Sequence, residues 1–453
     1  MKPLKVEEVA RAVGGVLNNP KIGQELICGV SFDTRDDLKN KLFVAFKGQN
    51  VDGHDFLHYA NEMGAVCGLS QRETCADAII VPDTGKALAD LAHYYLSLFD
   101  VKVVGITGSS GKTSTKDMVA AVLSEKYNVV KTKGNFNNEI GLPITIFNIT
   151  EDTEVAVLEM GMNNRHEIHR LSKIANPHMA IITNIGTAHI ENLGSQEEIF
   201  KAKSEIMDFL AADGPLFLHG DDKFLQRHKD RLQVVFYGHG GHNHYKIEDE
   251  TPLGLKGSTY KTTLKYGENL EIFVPTPGGH MVLNSLAAVA VGDYMGLTPA
   301  QIARGLANFK ITGMRMEILE TKSLKIIADC YNANPASMKA ALEVLAAENG
   351  QKVAILGDMF ELGENSAVMH GEVGEVAANL PISTLITIGS HSDAISHAAR
   401  GASFKGKILH FQNKEDFLGQ IRHIINAGDI VLVKASRGMQ FEKIVSFLEE
   451  YDA

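Results

Sequence analysis

The chain has 453 residues, enough for two to four domains. It is 44% hydrophobic and 22% charged, with no apolar run near the ~20 residues of a membrane span, so a globular protein without such a span is expected. A formal net charge of −11 argues against a nucleic-acid binder. An acidic protein that handles anions has to use local lysines and arginines, helix N-termini or Mg²⁺. The first eight residues have no apolar signal-peptide core, and Cys28, Cys67, Cys75 and Cys330 lack paired spacing. Reduced thiols in a cytoplasmic protein are the expectation.

Three blocks separate along the chain. Residues 1–83 carry strand candidates at 42–46 and 78–81, a helix candidate at 56–63 and a boundary turn at 82–85. Residues 84–312 alternate short apolar strands with helices, as a parallel α/β sheet does. Within them, 215–278 reads as an insertion with strand character. Residues 313–453 form a third α/β block, with strands at 325–328, 353–356, 385–388 and 430–433. The last three of these strands run into glycine or into Lys434-Ala435-Ser436, polar at the carboxyl end, so the block reads as Rossmann-like without a phosphate loop of its own.

The strongest motif opens the second block. Apolar Val101, Val103 and Val104 lead into Thr107-Gly108-Ser109-Ser110-Gly111-Lys112-Thr113, and a helix is predicted over 114–124. A strand, a glycine-rich turn and a helix start wrap backbone N–H groups around phosphate. Lys112 would reach the outer phosphates and the Thr113 hydroxyl would hold Mg²⁺. The usual Walker spacing requires glycine at 106, where Ile106 stands, so this is a tighter variant. ATP or GTP is the implied cofactor.

Strand ends supply the other candidates. Glu159 follows the strand at 155–158, where an acid can bind Mg²⁺ directly or through water. Thr183 and His189 lie beyond the strand at 179–182, and for His189 a functional reading is preferred over a structural one. His239, His242 and His244 have metal-like spacing but read as a solvated hairpin tip. Lys203, on a helix predicted over 195–210, reads from the residues alone as a solvated lysine. Arg315 sits at the second boundary, where it could reach phosphate across a cleft. Asp329 ends a strand and precedes Asn332 and Asn334, which suits ribose or a polar substrate, against an Asn-Pro turn as the plain alternative.

Several runs carry a family resemblance. They are the tight phosphate loop, Gly134-Asn135-Phe136-Asn137-Asn138, Glu159-Met160-Gly161-Met162-Asn163, Tyr331-Asn332-Ala333-Asn334-Pro335, Gly357-Asp358-Met359-Phe360-Glu361-Leu362-Gly363 and Lys434-Ala435-Ser436-Arg437-Gly438. Over essentially its whole length the chain resembles the Mur ligases, the ATP-dependent amide-forming family of peptidoglycan synthesis. Among them it is most similar to the member that joins D-alanyl-D-alanine to UDP-N-acetylmuramoyl-tripeptide. The Tyr-Asn-Ala-Asn-Pro run sets it apart from relatives that add diaminopimelate or lysine, which remain the alternative. A departure is Ala435, where glycine is expected.

The resemblance implies three domains: a small α/β UDP-binding domain, a central P-loop parallel-sheet ATPase domain and a C-terminal Rossmann-like α/β domain. It implies catalytic roles for Lys112, Glu159, His189 and Lys203, with ATP held by residues 107–114 (Thr107, Gly108, Ser109, Ser110, Gly111, Lys112, Thr113 and Ser114) together with Asn284, Arg315 and Asp329. Two Mg²⁺ ions would be held through Thr113, Glu159, His189 and a carbamylated Lys203. Ser31, Thr34, Arg35, Lys47, Asp52 and His54 would bind the UDP end of the substrate, and Asn137, Asn138 and Thr183 the muramoyl-peptide path. Tyr331, Asn332, Asn334, Asp358, Ser436 and Arg437 would form the D-alanyl-D-alanine region. A monomer acting on small molecules is expected. A nucleotide-gated switch is the reading from another class, and it would lack dependence on an amine acceptor.

Overall fold

The computed structural model describes residues 1–231 and 233–450; the last three positions of the third block lie outside them. Three sheets dominate. The first runs Val16–Leu17, Ala78–Ile80, Cys67–Ser70, Lys41–Val44, Gly29–Ser31, parallel except for its first pair.

The central sheet has seven parallel strands. Its order is Tyr245–Lys246, Val234–Gly238, Leu216–His219, Met179–Ile182, Lys102–Thr107, Val155–Glu159, Val129–Lys131. Val155–Glu159 and Met179–Ile182 are buried along their whole length, as parallel strands covered on both faces must be. They flank Lys102–Thr107 on opposite sides, so the chain reverses direction across the sheet there. The carboxyl ends at such a switch point open a crevice.

One face of this sheet is covered by the Lys112–Leu123 and Gly279–Tyr294 helices, packed through Val119, Val122, Leu286 and Val289. The other face takes the Thr84–Leu96 helix, whose Leu88 and Leu91 share one core with Ile146 and Leu158. The expected boundary turn at 82–85 is therefore the start of this helix, with the Asp83 carboxylate accepting from Lys86 N at 2.8 Å.

Only part of 215–278 is an insertion. Leu216–His219, Val234–Gly238 and Tyr245–Lys246 extend the main sheet, while Glu248–Pro252, Ser258–Thr263 and Asn269–Val274 form a separate antiparallel sheet. Because Val234–Gly238 and Tyr245–Lys246 pair in parallel, the histidine tract is a connection and not a hairpin tip. His239 N donates to Asp221 at 2.6 Å, His242 Nε2 lies 2.8 Å from Gly220 O, and His244 Nδ1 accepts from Phe236 N at 2.9 Å. These bonds fasten the connection.

The third sheet runs Glu317–Glu320, Lys325–Ala328, Ile430–Lys434, Lys352–Gly357, Thr384–Ile388, Lys407–Phe411. It is parallel except for its first pair and has a hydrophobic cluster on each face.

Candidate functional site

A cavity of about 490 Å³ opens where the carboxyl ends of the central sheet face the third sheet. The phosphate loop forms its floor. Gly108 has φ +150°, and a Cβ there would stand 1.8 Å from Thr183 Oγ1. Gly111 has φ +79°, and its Cβ would stand 2.7 Å from Asn284 Oδ1. Only glycine allows both the turn and these approaches. The next strand end braces the loop: Thr183 Oγ1 donates to Ser110 O at 2.6 Å, and Asn184 Oδ1 accepts from Ser110 N at 3.0 Å. The helix then starts at Lys112, two residues earlier than its sequence predicts.

Ser109 to Ser114 line the cavity; Thr107 and Gly108 lie beneath it. Lys112 Nζ donates to Gly108 O at 2.7 Å. Burial and the nearby Arg315 lower the pKa of this lysine, while Glu159 acts against them. Glu159 is buried at its strand end. Its carboxylate accepts from Thr113 Oγ1 and from Asn137 Nδ2, both at 2.8 Å. Lys116, one helical turn beyond Lys112, brings Nζ to 3.8 Å from the same carboxylate. Sequence reading passed over Lys116, although the four-residue spacing from Lys112 places both on one helix face.

Asn137, Asn138, His189, Asn284, Arg315, Asp329, Tyr331, Asn332 and Asn334 also reach the cavity wall. Arg315 stacks on the Tyr331 ring at 3.7 Å, and Arg437 approaches the same ring at 5.5 Å. Asp329 receives Lys434 Nζ at 2.5 Å, a buried pair with no sequence signal beyond the position of Lys434 beside Ser436 and Arg437. Asn334 caps the Pro335–Ala346 helix through Ser337 N at 2.9 Å, so the Asn-Pro turn is real as well as lining the site. His280 is a further wall residue that the sequence did not flag. Burial lowers its pKa, and Lys434 adds to this against Asp329.

Other candidates lie elsewhere. The Thr183 hydroxyl is turned into the phosphate loop. Asp358 Oδ1 accepts from His391 N at 3.1 Å and Ser392 N at 2.7 Å, and Ser436 Oγ accepts from Phe360 N at 2.9 Å. All three side chains are buried, bond to main chain and lie outside the cavity lining. Lys203, on the Gln196–Ser204 helix, is not a solvated lysine: it is 1% exposed. Burial, reinforced by the Lys112 charge, drives its pKa well below the ordinary lysine value.

Ser31, Thr34, Arg35, Lys47, Asp52 and His54 gather in the first block, away from this cavity. There Ser31 Oγ donates to Asp36 at 2.7 Å, His54 Nδ1 meets Asp52 at 2.7 Å, and Lys47 bridges to Asp52 through backbone. Arg35 holds the Asp33 carboxyl down at about 2.

Residues 106–292 match the family model of the Mur ligase middle domain, and residues 314–437 that of the Mur ligase glutamate ligase domain. The UDP-N-acetylmuramoyl-tripeptide–D-alanyl-D-alanine ligase of Bacillus subtilis (strain 168) is 43% identical over 98% of this chain and 98% of its own. The chain belongs to the Mur ligase family. The Escherichia coli (strain K12) ligase of the same name is 34% identical, over 96% and 97% of the two chains. A MurF crystal structure from Acinetobacter baumannii superposes with a TM-score of 0.92 at 29% identity, covering both chains fully. The MurF ligase of Thermotoga maritima, solved in complex with ADP, gives 0.84 at 30% identity over 93% and 97%. The fold of this Mur ligase thus follows that of the solved MurF structures.

Proposed function

We propose that this Mur ligase uses ATP to join D-alanyl-D-alanine to UDP-N-acetylmuramoyl-tripeptide, giving the pentapeptide, ADP and phosphate. The observation that carries the reading is the cleft itself. A phosphate loop and a buried strand-end carboxylate on one wall face Arg315, Asp329 and Lys434 on the other. The names of the full-length relatives supply the substrates.

The chemistry needs activation, because a carboxylate is a poor acyl donor. The tripeptide's terminal carboxylate attacks the γ-phosphorus, the bond to the β,γ-bridging oxygen breaks, and ADP leaves. The amine of D-alanyl-D-alanine then attacks the acyl carbon, loses a proton and expels phosphate. Lys112 and the N–H groups of the loop stabilise charge on the moving phosphoryl group. Arg315 reaches the phosphates from the opposite wall, Asn284 faces adenine, and Asp329, fixed by Lys434, faces ribose. Asn137 and Asn138 border the muramoyl-peptide path, with Tyr331, Asn332, Asn334 and Arg437 nearest the incoming dipeptide. Ser31, Thr34, Arg35, Lys47, Asp52 and His54 would hold the UDP end. The wall from the third block excludes water, which would otherwise hydrolyse the acyl phosphate.

The donor set fits Mg²⁺. Thr113 Oγ1 and Glu159 Oε2 are hard oxygens already 2.8 Å apart. No group of three or more His, Cys, Asp or Glu able to hold a metal occurs among the described residues. Mg²⁺ is commonly held by one or two protein oxygens plus phosphate and water, so one ion on Thr113 and Glu159 suits the site. A second would use His189 and a carbamylated Lys203. When bound, Mg²⁺ screens phosphate charge and orients the oxygens. The buried Lys203 is disposed to stay neutral, and a neutral amine is the form that adds CO₂.

The domain division 1–83, 84–312 and 313–453, action as a monomer and a cytoplasmic setting belong to the same reading. No helix among the described residues is long and apolar enough to cross a membrane. The test is phosphate release with ATP, Mg²⁺ and UDP-N-acetylmuramoyl-tripeptide, with and without D-alanyl-D-alanine, and a mass for the product. Release that needs both substrates and yields the pentapeptide supports the reading. Release indifferent to any amine acceptor overturns it.

A further inference from the structure

His189 is approached from the third block. Glu361 Oε2 stands 2.7 Å from His189 Nδ1, although the two residues are 172 positions apart and belong to opposite walls of the cleft. The contact lies off the hydrogen-bond line, leaving His189 Nδ1 a buried polar atom without an aligned partner.

Both residues sit in the left-handed backbone region, His189 at φ +63° and Glu361 at φ +62°. A side chain with a Cβ is held there only when its surroundings fix it, and such residues concentrate at functional sites. The surroundings of Glu361 do fix it. Met359 N donates to His370 Nε2 at 2.9 Å, and Phe360 N donates to Ser436 Oγ at 2.9 Å. The Gly363–Asn365 turn just beyond packs on the Ile190–Leu193 helix, which His189 caps.

We propose that Glu361 is a positioning residue of the ligation reaction, reaching across the cleft to orient the His189 imidazole through Nδ1. The inference rests on the proposed function. A carboxylate at Nδ1 favours the tautomer with its proton there, which leaves the Nε2 lone pair free to ligate a metal ion. Because Glu361 comes from the third block, His189 is set only when that block is seated on the central one. Assembly of the cleft and readiness of the imidazole thereby become one event.

The test pairs a spectroscopic readout with kinetics on the full chain. Histidine-selective ¹⁵N NMR of the unliganded protein reports the His189 tautomer, its signals assigned by their loss in His189→Gln. Glu361→Ala should shift those signals toward the form protonated at Nε2. Glu361→Ala and Glu361→Gln should lower kcat by about tenfold or more, the usual scale for a partner that orients a metal- or phosphate-facing histidine. KM for ATP and for the UDP substrate should stay within about twofold, since ground-state binding is untouched. Unchanged His189 signals in Glu361→Ala overturn the proposal, whatever the rate, and so does an unchanged kcat. The NMR arm needs no substrate. A wild-type chain that fails to require D-alanyl-D-alanine would sink the ligase reading while leaving the Glu361 contact separately measured.

Discussion

Replacing Gly108 by alanine tests whether the phosphate loop is fitted to the strand end behind it. The new Cβ would meet Thr183 Oγ1 at 1.8 Å, Thr183 Cβ at 3.0 Å and Thr183 N at 3.1 Å. Unstrained non-bonded contacts lie at about 3.5 Å, so something has to move by more than about 1 Å. An unfavourable backbone conformation costs about 1–3 kcal/mol, and overpacking about 1–3 kcal/mol more. The loop borders a cavity and can yield, so the lower part of that range should apply. A loss of about 2–4 kcal/mol corresponds to roughly 30- to 10³-fold in the Kd for ADP.

Thr183→Ala alone removes the hydroxyl that donates to Ser110 O, worth about 1 kcal/mol. In the double variant the 1.8 Å contact no longer exists, although the contacts to Thr183 Cβ and N do. The double variant should therefore bind ADP more tightly than the sum of the single losses, by about 1 kcal/mol or more. Calorimetric titration of the four proteins with ADP measures this directly. Unfolding is the poorer assay, because a chain built on three main sheets need not melt in one step. Additivity within about 0.4 kcal/mol would refute the fitted-loop argument.

Two further outcomes follow from buried groups. With ¹³C-bicarbonate, a carbamate carbon signal should appear in the wild-type protein and be missing from Lys203→Met; a wild-type spectrum without it would remove carbamylation from the site. Burial also depresses the pKa of His370 in the third block. Its Nε2 accepts from Met359 N, and Nδ1 lies 2.7 Å from Ser366 O, which requires the neutral ring; Asp358, which raises its pKa, and the stacked ring of His391 are the titratable groups facing it. Below the ordinary histidine value the unfolded chain binds the proton first. Stability is therefore full above about pH 6.5, falls below it, and levels off once the folded ring also titrates. His370→Gln should flatten that slope in urea titrations between pH 7 and 5, and an unaltered slope would assign the pH dependence elsewhere.

The parts of this Mur ligase legible in its sequence are those written locally. The phosphate loop, the wholly apolar strands ending at Glu159 and Thr183, and the Asn334-Pro335 turn each occupy a few consecutive residues whose chemistry admits few structures. The parts that escape a sequence reading depend on distant partners. Lys434 matters because it meets Asp329, 105 residues earlier, and Glu361 because it meets His189. Nothing in either local run announces the other. Thr183, Asp358 and Ser436 are polar residues close to strand ends, but each bonds to main chain, which a local run of sequence does not reveal. The strands within 215–246 look like part of an insertion until parallel pairing joins them to the main sheet, and such pairing is set by neighbours far along the chain.

The glycine-rich loop at 107–113 and the segment that leads into the opposite wall meet on one helix. Asp117, buried on Lys112–Leu123, takes Lys131 Nζ at 2.6 Å and also the hydroxyl of Thr312, three residues before Arg315. Lys116 lies 3.5 Å from Asp117 and 3.8 Å from Glu159, so a buried series of charges runs from the Glu159 carboxylate toward Thr312 at the start of the third block. A buried charge is tolerable only while its partners stay in place. Neither Glu159 nor the junction can move far without leaving Lys116 or Asp117 uncompensated. The phosphate loop therefore fixes where Arg315 and the third block begin, and the contact between Glu361 and His189 closes the same circuit on the far side of the cleft.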